Sequence, residues 1–157
     1  MDSVTDILIR PAKVEDAEAR SQLVIKSVVY FHSAAYTAEE IAIWKRGYTP
    51  ELVKQQILSR ESYVLVVDGE TAGTIQFDPP EIKGLYLDPA FSGQGHGQRL
   101  LQHMLASLKT KGLQQVELTS NHLTVKFYEK AGFELLGKEI VYWEGHPFTE
   151  YRMVKQL

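Results

Sequence analysis

Three alternating glycines, in the run Ser92-Gly93-Gln94-Gly95-His96-Gly97-Gln98, stand between a β-prone segment and an amphipathic one. Upstream, Leu85-Tyr86-Leu87-Asp88-Pro89 reads as the end of a strand, and downstream Leu100, Leu101, Met104, Leu105 and Leu108 recur at helical spacing. Without Cβ atoms in the way, successive backbone N–H groups of such a loop converge on one oxygen. The helix start adds unsatisfied donors at the positive end of its dipole. The ligand this chemistry favours is a phosphate or pyrophosphate. Two common nucleotide loops do not fit. A Gly-x-Gly-x-x-Gly fingerprint counted from Gly93 and Gly95 places Gln98 at the third glycine, with no opening βαβ unit before it. A triphosphate loop requires Lys-Ser or Lys-Thr after its last glycine, where this chain has Gln98-Arg99.

Composition narrows the remaining chemistry. The 157 residues include no cysteine, which removes disulfides, thiolate nucleophiles and sulfur-dependent metal sites and fits a reducing, cytoplasmic compartment. Five histidines are scattered without metal-ligand spacing, so no metal is expected. Lys plus Arg number 17 against 20 Asp plus Glu, a net charge of -3 that does not favour a nucleic-acid surface. With 44% hydrophobic and 24% charged residues, the chain reads as one globular domain over 1–157. Its opening Met1-Asp2-Ser3-Val4-Thr5-Asp6 carries acid rather than base, and Tyr63-Val64-Leu65-Val66-Val67, the longest apolar run, is far short of a membrane span.

The elements that must position the loop follow from periodicity. Ile7-Leu8-Ile9 predicts a strand, and a helix follows with Ala17, Ser21, Val24, Val28 and Phe31 along one stripe. Thr37 with Glu40 forms a capping-box pattern, and Thr49-Pro50 starts another short helix. Ser62 to Val67 and Thr71 to Phe77 flank Asp68-Gly69-Glu70 as a hairpin. Glu81 to Leu87 is a strand, Gln115 to Thr119 another, and Asn121 to Ala131 a helix. Phe133 to Trp143 and Phe148 to Lys155 form a closing hairpin around Glu144-Gly145-His146-Pro147. Hairpins in the middle and at the end predict a mixed sheet in a three-layer α/β or α+β fold.

The glycine run following Leu85-Tyr86-Leu87-Asp88-Pro89 resembles the acyl-CoA pyrophosphate loop of the GNAT superfamily of N-acetyltransferases, Gln/Arg-x-x-Gly-x-Gly/Ala. Gly95 and Gly97 match its glycines, and Ser92 departs from its leading Gln/Arg. Asn121-His122-Leu123-Thr124-Val125-Lys126-Phe127-Tyr128-Glu129-Lys130-Ala131-Gly132-Phe133 is similar to the family's Asn-x-x-Ala-x-x-x-Tyr-x-x-x-Gly-Phe segment, with Thr124 in place of Ala. The opening Ile9-Arg10-Pro11-Ala12 with Asp16 and the closing Tyr151-Arg152-Met153-Val154-Lys155 also resemble family termini. The resemblance implies a GNAT-like, mostly antiparallel sheet of six to seven strands flanked by helices.

The activity it implies is transfer of an acetyl group from acetyl-CoA to a primary amine, by direct attack in a ternary complex. Acetyl-CoA would be held by main-chain groups of Leu85, Tyr86 and Leu87, by residues 92–98, and by Asn121 and Tyr128. Tyr128 would be the acid for the leaving thiolate. An alkyl ammonium has a pKa near 10.4 and must lose a proton before it attacks. Glu81, eleven residues before Ser92, occupies the position of a catalytic glutamate in some members, while Asp78, His32 and His122 are alternative relays. Tyr30, Phe31, Tyr36 and Trp44 would line the acceptor pocket, the acceptor being a small-molecule or protein amine and a homodimer one expected state. On residue chemistry alone, Asn121 also reads as a helix cap, Tyr128 as a core aromatic, and Glu81 as a solvated strand end. Two rival readings follow. One is an inactive acyl-CoA sensor or partner-binding domain. The other is an RNA-modifying acetyltransferase with a local patch from Lys45, Arg46, Lys54 and Arg60.

Overall fold

The computed structural model describes residues 5–157, and residues 1–4, most of the acidic opening, lie outside it. Seven strands form one sheet in the order β1-β2-β3-β4-β5-β7-β6, numbered along the chain. Strand β1 spans Ile7–Pro11, β2 Glu61–Val67, β3 Glu70–Asp78, β4 Glu81–Leu87, β5 Gln115–Ser120, β6 Glu134–Trp143 and β7 His146–Gln156. Every neighbouring pair is antiparallel except β4 with β5, which is parallel. Helices α1 (Ala17–His32), α2 (Ala38–Arg46) and α3 (Pro50–Ser59) precede β2, α4 (His96–Thr110) crosses from β4 to β5, and α5 (Val125–Lys130) follows β5. The mixed, three-layer architecture predicted from the pattern is the one observed.

Two apolar clusters hold the layers together. Leu100, Leu101, Met104, Leu105 and Leu108, the predicted stripe of α4, are buried against Leu65, Ile75, Ile82, Leu118 and Met153 of the sheet. On the other face, Leu23, Val24 and Val28 of α1 pack with Ile41 of α2. The stripe of α1 needs one correction. Phe31 is 40% exposed and His32 takes the buried place, because the four-residue step from Val28 lands on 32.

Local chemistry sets the boundaries. Asp68 and Gly69 have φ of 49° and 83°, and Glu144 and Gly145 have φ of 52° and 76°, the paired positive values of a two-residue hairpin turn. Both hairpins are tighter than predicted, because Glu70, His146 and Pro147 join the strands. At α2, Thr37 Oγ1 accepts the Glu40 N–H at 3.1 Å while the Glu40 carboxylate accepts the Thr37 N–H at 2.8 Å, completing the predicted capping box. Thr37→Ala is expected to lower folding stability by about 1 kcal/mol in denaturant titration. A stability equal to wild type would mean that water replaces the cap.

The predicted helix from Asn121 to Ala131 is shorter. Asn121 Oδ1 accepts the Leu123 N–H at 2.9 Å and the Asn121 carbonyl accepts the Thr124 N–H at 3.1 Å, a local turn that delays α5 to Val125.

Candidate active site

The glycine loop is built as a donor array. Gly93 and Gly95 have φ of 76° and 80°, left-handed values that admit glycine without strain, and Gly95 caps α4. The first helical bond runs from the Arg99 N–H to the Gly95 carbonyl, so among the described residues the backbone N–H groups of 93–98 meet no protein acceptor. A Cβ at Gly93 would meet nothing within 4 Å, which leaves the loop open to a ligand. Gly97 serves packing instead, since a Cβ there would lie 3.3 Å from the Phe127 ring. Ser92 turns inward, its hydroxyl donating to the Pro89 carbonyl at 2.9 Å. Sequence reasoning misses Arg99. Its guanidinium folds back to donate to the Gln94 carbonyl at 2.7 Å and to His96 Nδ1 at 2.9 Å, placing a cation on a loop that lacks the leading Gln/Arg. A signal exists in the sequence, since Arg99 stands in the first turn of α4, where a cation opposes the helix dipole.

Strands β4 and β5 pair only at Glu81↔Glu117 and Ile82↔Leu118 and then diverge. Past that seam, the edge of β4 facing β5 runs unpaired toward the loop. A bulge at Gly84, where φ is 61° and a Cβ would meet the Gln76 amide at 2.6 Å, resets the alternation of β4. Leu85 and Leu87 consequently pack with Ile82 on the α4 side, and Tyr86 turns to the α1–α2 side. By the same alternation Glu81 shares the face of Tyr86, with Lys83 Nζ 3.4 Å from its carboxylate.

On the far wall of the gap stand Asn121, just after β5, and Tyr128 on α5. Tyr128 retains partial exposure, yet so much protein surrounds its hydroxyl that desolvation pushes the phenol pKa well above 10. That combination describes a partly exposed residue whose phenol stays protonated at neutral pH. Gln98 of α4 reaches the Phe127 carbonyl at 3.5 Å and ties the loop helix to this wall.

Of the four predicted acceptor-pocket residues, the structure brings together two. Trp44 lies 5.4 Å from Tyr36 and 4.5 Å from His32, ring centre to ring centre, and His122 lies 5.9 Å from Tyr36. Trp44 Nε1 donates to the Tyr86 hydroxyl at 2.9 Å, and Tyr48, which the sequence does not single out, sits 3.4 Å from the same hydroxyl. Its backbone is held by the Ser21 hydroxyl at 2.6 Å. Beside these phenols lies Arg20 of α1, wholly buried, whose pKa burial lowers to about 10, so that it stays charged at neutral pH. Tyr30 and Phe31 fall outside the cluster, edge to face at 4.9 Å on the outer side of α1, where Tyr30 borders an open groove with Lys26, Asp88 and Pro89.

Burial lowers the pKa of both His32 and His96 below 6.5. An unfolded chain therefore binds more protons than the native one between those lowered values and 6.5, so stability is complete above 6.5 and declines as pH drops through that window. Melting temperatures measured from pH 7.5 to 5 should fall on the acid side, and a flat profile would show that neither histidine is held neutral.

The basic patch of the RNA reading is partly neutralised, because Arg46 makes a forked pair with Glu144 (2.9 Å) and Arg60 bonds Gln76 (2.9 Å) and faces Asp78 (3.5 Å). Among the described residues no helix is long and apolar enough to cross a membrane, and no group of three His, Cys, Asp or Glu is arranged to hold a metal.

Comparison with known proteins gives the family and the fold. The model of the acetyltransferase (GNAT) domain family matches residues 32–155. The peptidyl-lysine N-acetyltransferase YjaB of Salmonella typhimurium is 30% identical over 152 residues, 94% of this chain and 97% of the relative. Among solved structures, a GCN5-related N-acetyltransferase from Rhodopseudomonas palustris superposes with a TM-score of 0.91 at 18% identity over 100% of both chains. The PaiA N-acetyltransferase of Thermoplasma acidophilum, solved in complex with coenzyme A, gives 0.80 at 22% identity over 97% of this chain and 99% of that one. The family match covers the loop, the splayed strands and the Asn121–Tyr128 wall together, and the chain belongs to the GNAT family of acetyltransferases.

Proposed function

We propose that this protein transfers the acetyl group of acetyl-CoA to a primary amine by direct attack within a ternary complex. The observation that carries the reading is the opening of β4 from β5 directly onto the donor array at the start of α4. A pyrophosphate held by the N–H groups of 93–98, with Arg99 adding charge, leaves the pantetheine arm to lie along the unpaired edge of β4. Main-chain donors near Leu85, Tyr86 and Leu87 then polarise the thioester carbonyl. Tyr128, protonated at neutral pH, donates to the departing thiolate, and Asn121 contacts the donor arm.

The acceptor enters on the opposite face, past Trp44 and Tyr36, where Glu81 takes the proton of the ammonium. A peptide lysine is the acceptor we favour, because the Salmonella relative is a peptidyl-lysine N-acetyltransferase. The cysteine-free composition supports a reducing, cytoplasmic setting.

Isothermal titration with acetyl-CoA, CoA and NADH tests the donor class before any acceptor is fixed. Micromolar binding of acetyl-CoA with none of NADH, followed by thiol release on adding lysine peptides, is the expected result. Failure to bind either CoA species would sink the reading.

A further inference from the structure

We propose that His32 is a positioning residue for the acyl donor, holding the side-chain amide of Asn121 so that its free N–H points at the donor arm. The inference rests on the reading of Asn121 as a donor contact.

Asn121 Oδ1 accepts the Leu123 N–H at 2.9 Å, which decides the oxygen end of the amide and turns its NH2 toward His32. Asn121 Nδ2 lies 3.2 Å from His32 Nε2. An amide NH2 has hydrogens and no lone pair to offer, so Nε2 must be the unprotonated ring nitrogen and Nδ1 must carry the hydrogen. Nδ1 is buried beside the carbonyls of Val28 and Ser27, which favour a hydrogen there although none forms a hydrogen bond of normal geometry. Neither nitrogen is offered to an incoming amine, which removes His32 from the candidates for the general base.

A planar amide fixed at Oδ1 and at one N–H has its other N–H fixed in direction as well. Among the described residues that N–H has no protein acceptor. His32 can hold it because the imidazole is itself held, at 6% exposure and with Trp44 at 4.5 Å. The result is a donor oriented before the ligand arrives, supported from the acceptor side of the cleft, so that α1 and the loop after β5 act as one unit.

His32→Leu removes the acceptor, whereas His32→Gln returns an oxygen that can accept from Asn121. The expected result is an acetyl-CoA Kd and KM raised about fivefold in His32→Leu, near the worth of one neutral hydrogen bond. The amine KM should stay within about twofold, His32→Gln should recover donor affinity, and His32→Leu should add nothing in an Asn121→Ala background. Thermal melts confirm that each variant is folded, and His32→Gln carries the test if His32→Leu is not. In that case donor affinity below wild type in a folded His32→Gln that keeps the Asn121 contact by NMR overturns the proposal. Unchanged donor affinity in His32→Leu, a loss confined to the amine KM, or additivity with Asn121→Ala also overturns it. Absence of acetyl-CoA binding by the wild-type protein overturns the donor reading and this inference with it.

Discussion

Gly95→Val is expected to weaken acetyl-CoA binding by about a hundredfold or more while leaving the protein folded. Gly95 has a φ of 80°, and a β-branched residue is strained there, so the substituted loop relaxes toward negative φ. That rotation turns the neighbouring peptides and disperses the N–H groups of 93–98, which lack protein acceptors among the described residues. Loss of two charge-assisted hydrogen bonds, each worth about 1.5–3 kcal/mol, accounts for the expected drop. The fold survives because a Cβ at 95 would approach only the end of the Arg99 side chain, at 3.7 Å, and no core atom. Titration calorimetry with a parallel melting curve decides the matter. Affinity within twofold of wild type would show that the pyrophosphate lies elsewhere.

Tyr128→Phe should separate chemistry from binding. The phenol is the one polar atom of that side chain, and its removal leaves the ring packing against Phe127 and Phe133 unchanged. General acids contribute roughly 10²–10⁴ in rate, so kcat should fall by about a hundredfold with the acetyl-CoA KM within about twofold. Because desolvation holds the phenol pKa well above 10, the wild-type rate should show no alkaline decline from this group below pH 10. Full kcat in the variant, measured by thiol release, would leave the thiolate to be protonated by solvent.

Much of the architecture is legible in the sequence, for physical reasons. The stripe of α4, the Thr37–Glu40 box and the Asp68-Gly69 turn are local devices, each decided by residues within a few positions of one another. What escapes a reading of the sequence depends on distant partners. The bulge at Gly84 lies against the Gln76 side chain of the neighbouring strand, where a Cβ would not fit, and the shifted register sends Tyr86 to the acceptor face. His32, not Phe31, continues the buried stripe of α1, and its polar ring is accommodated there by an amide partner 89 positions away. Tyr48 lies between two short helices, where no period singles it out. Arg99 is the local exception: its place in the first turn of α4 is visible in the sequence, and only the folding back of its guanidinium onto Gln94 and His96 is not.

The seam of two residue pairs between β4 and β5 has a mechanical meaning. The sheet is two plates, β1 to β4 and β5 to β7, joined along a short hinge and braced by α4 as a cross-strut. Amides on the inner margin of β4 beyond Ile82 are expected to exchange hydrogen with deuterated solvent by local fluctuation rather than by global unfolding. A donor arm lying in the gap would act as a missing eighth strand, slowing exchange on both plates together and stiffening the hinge, so that rigidity across the sheet becomes a readout of occupancy.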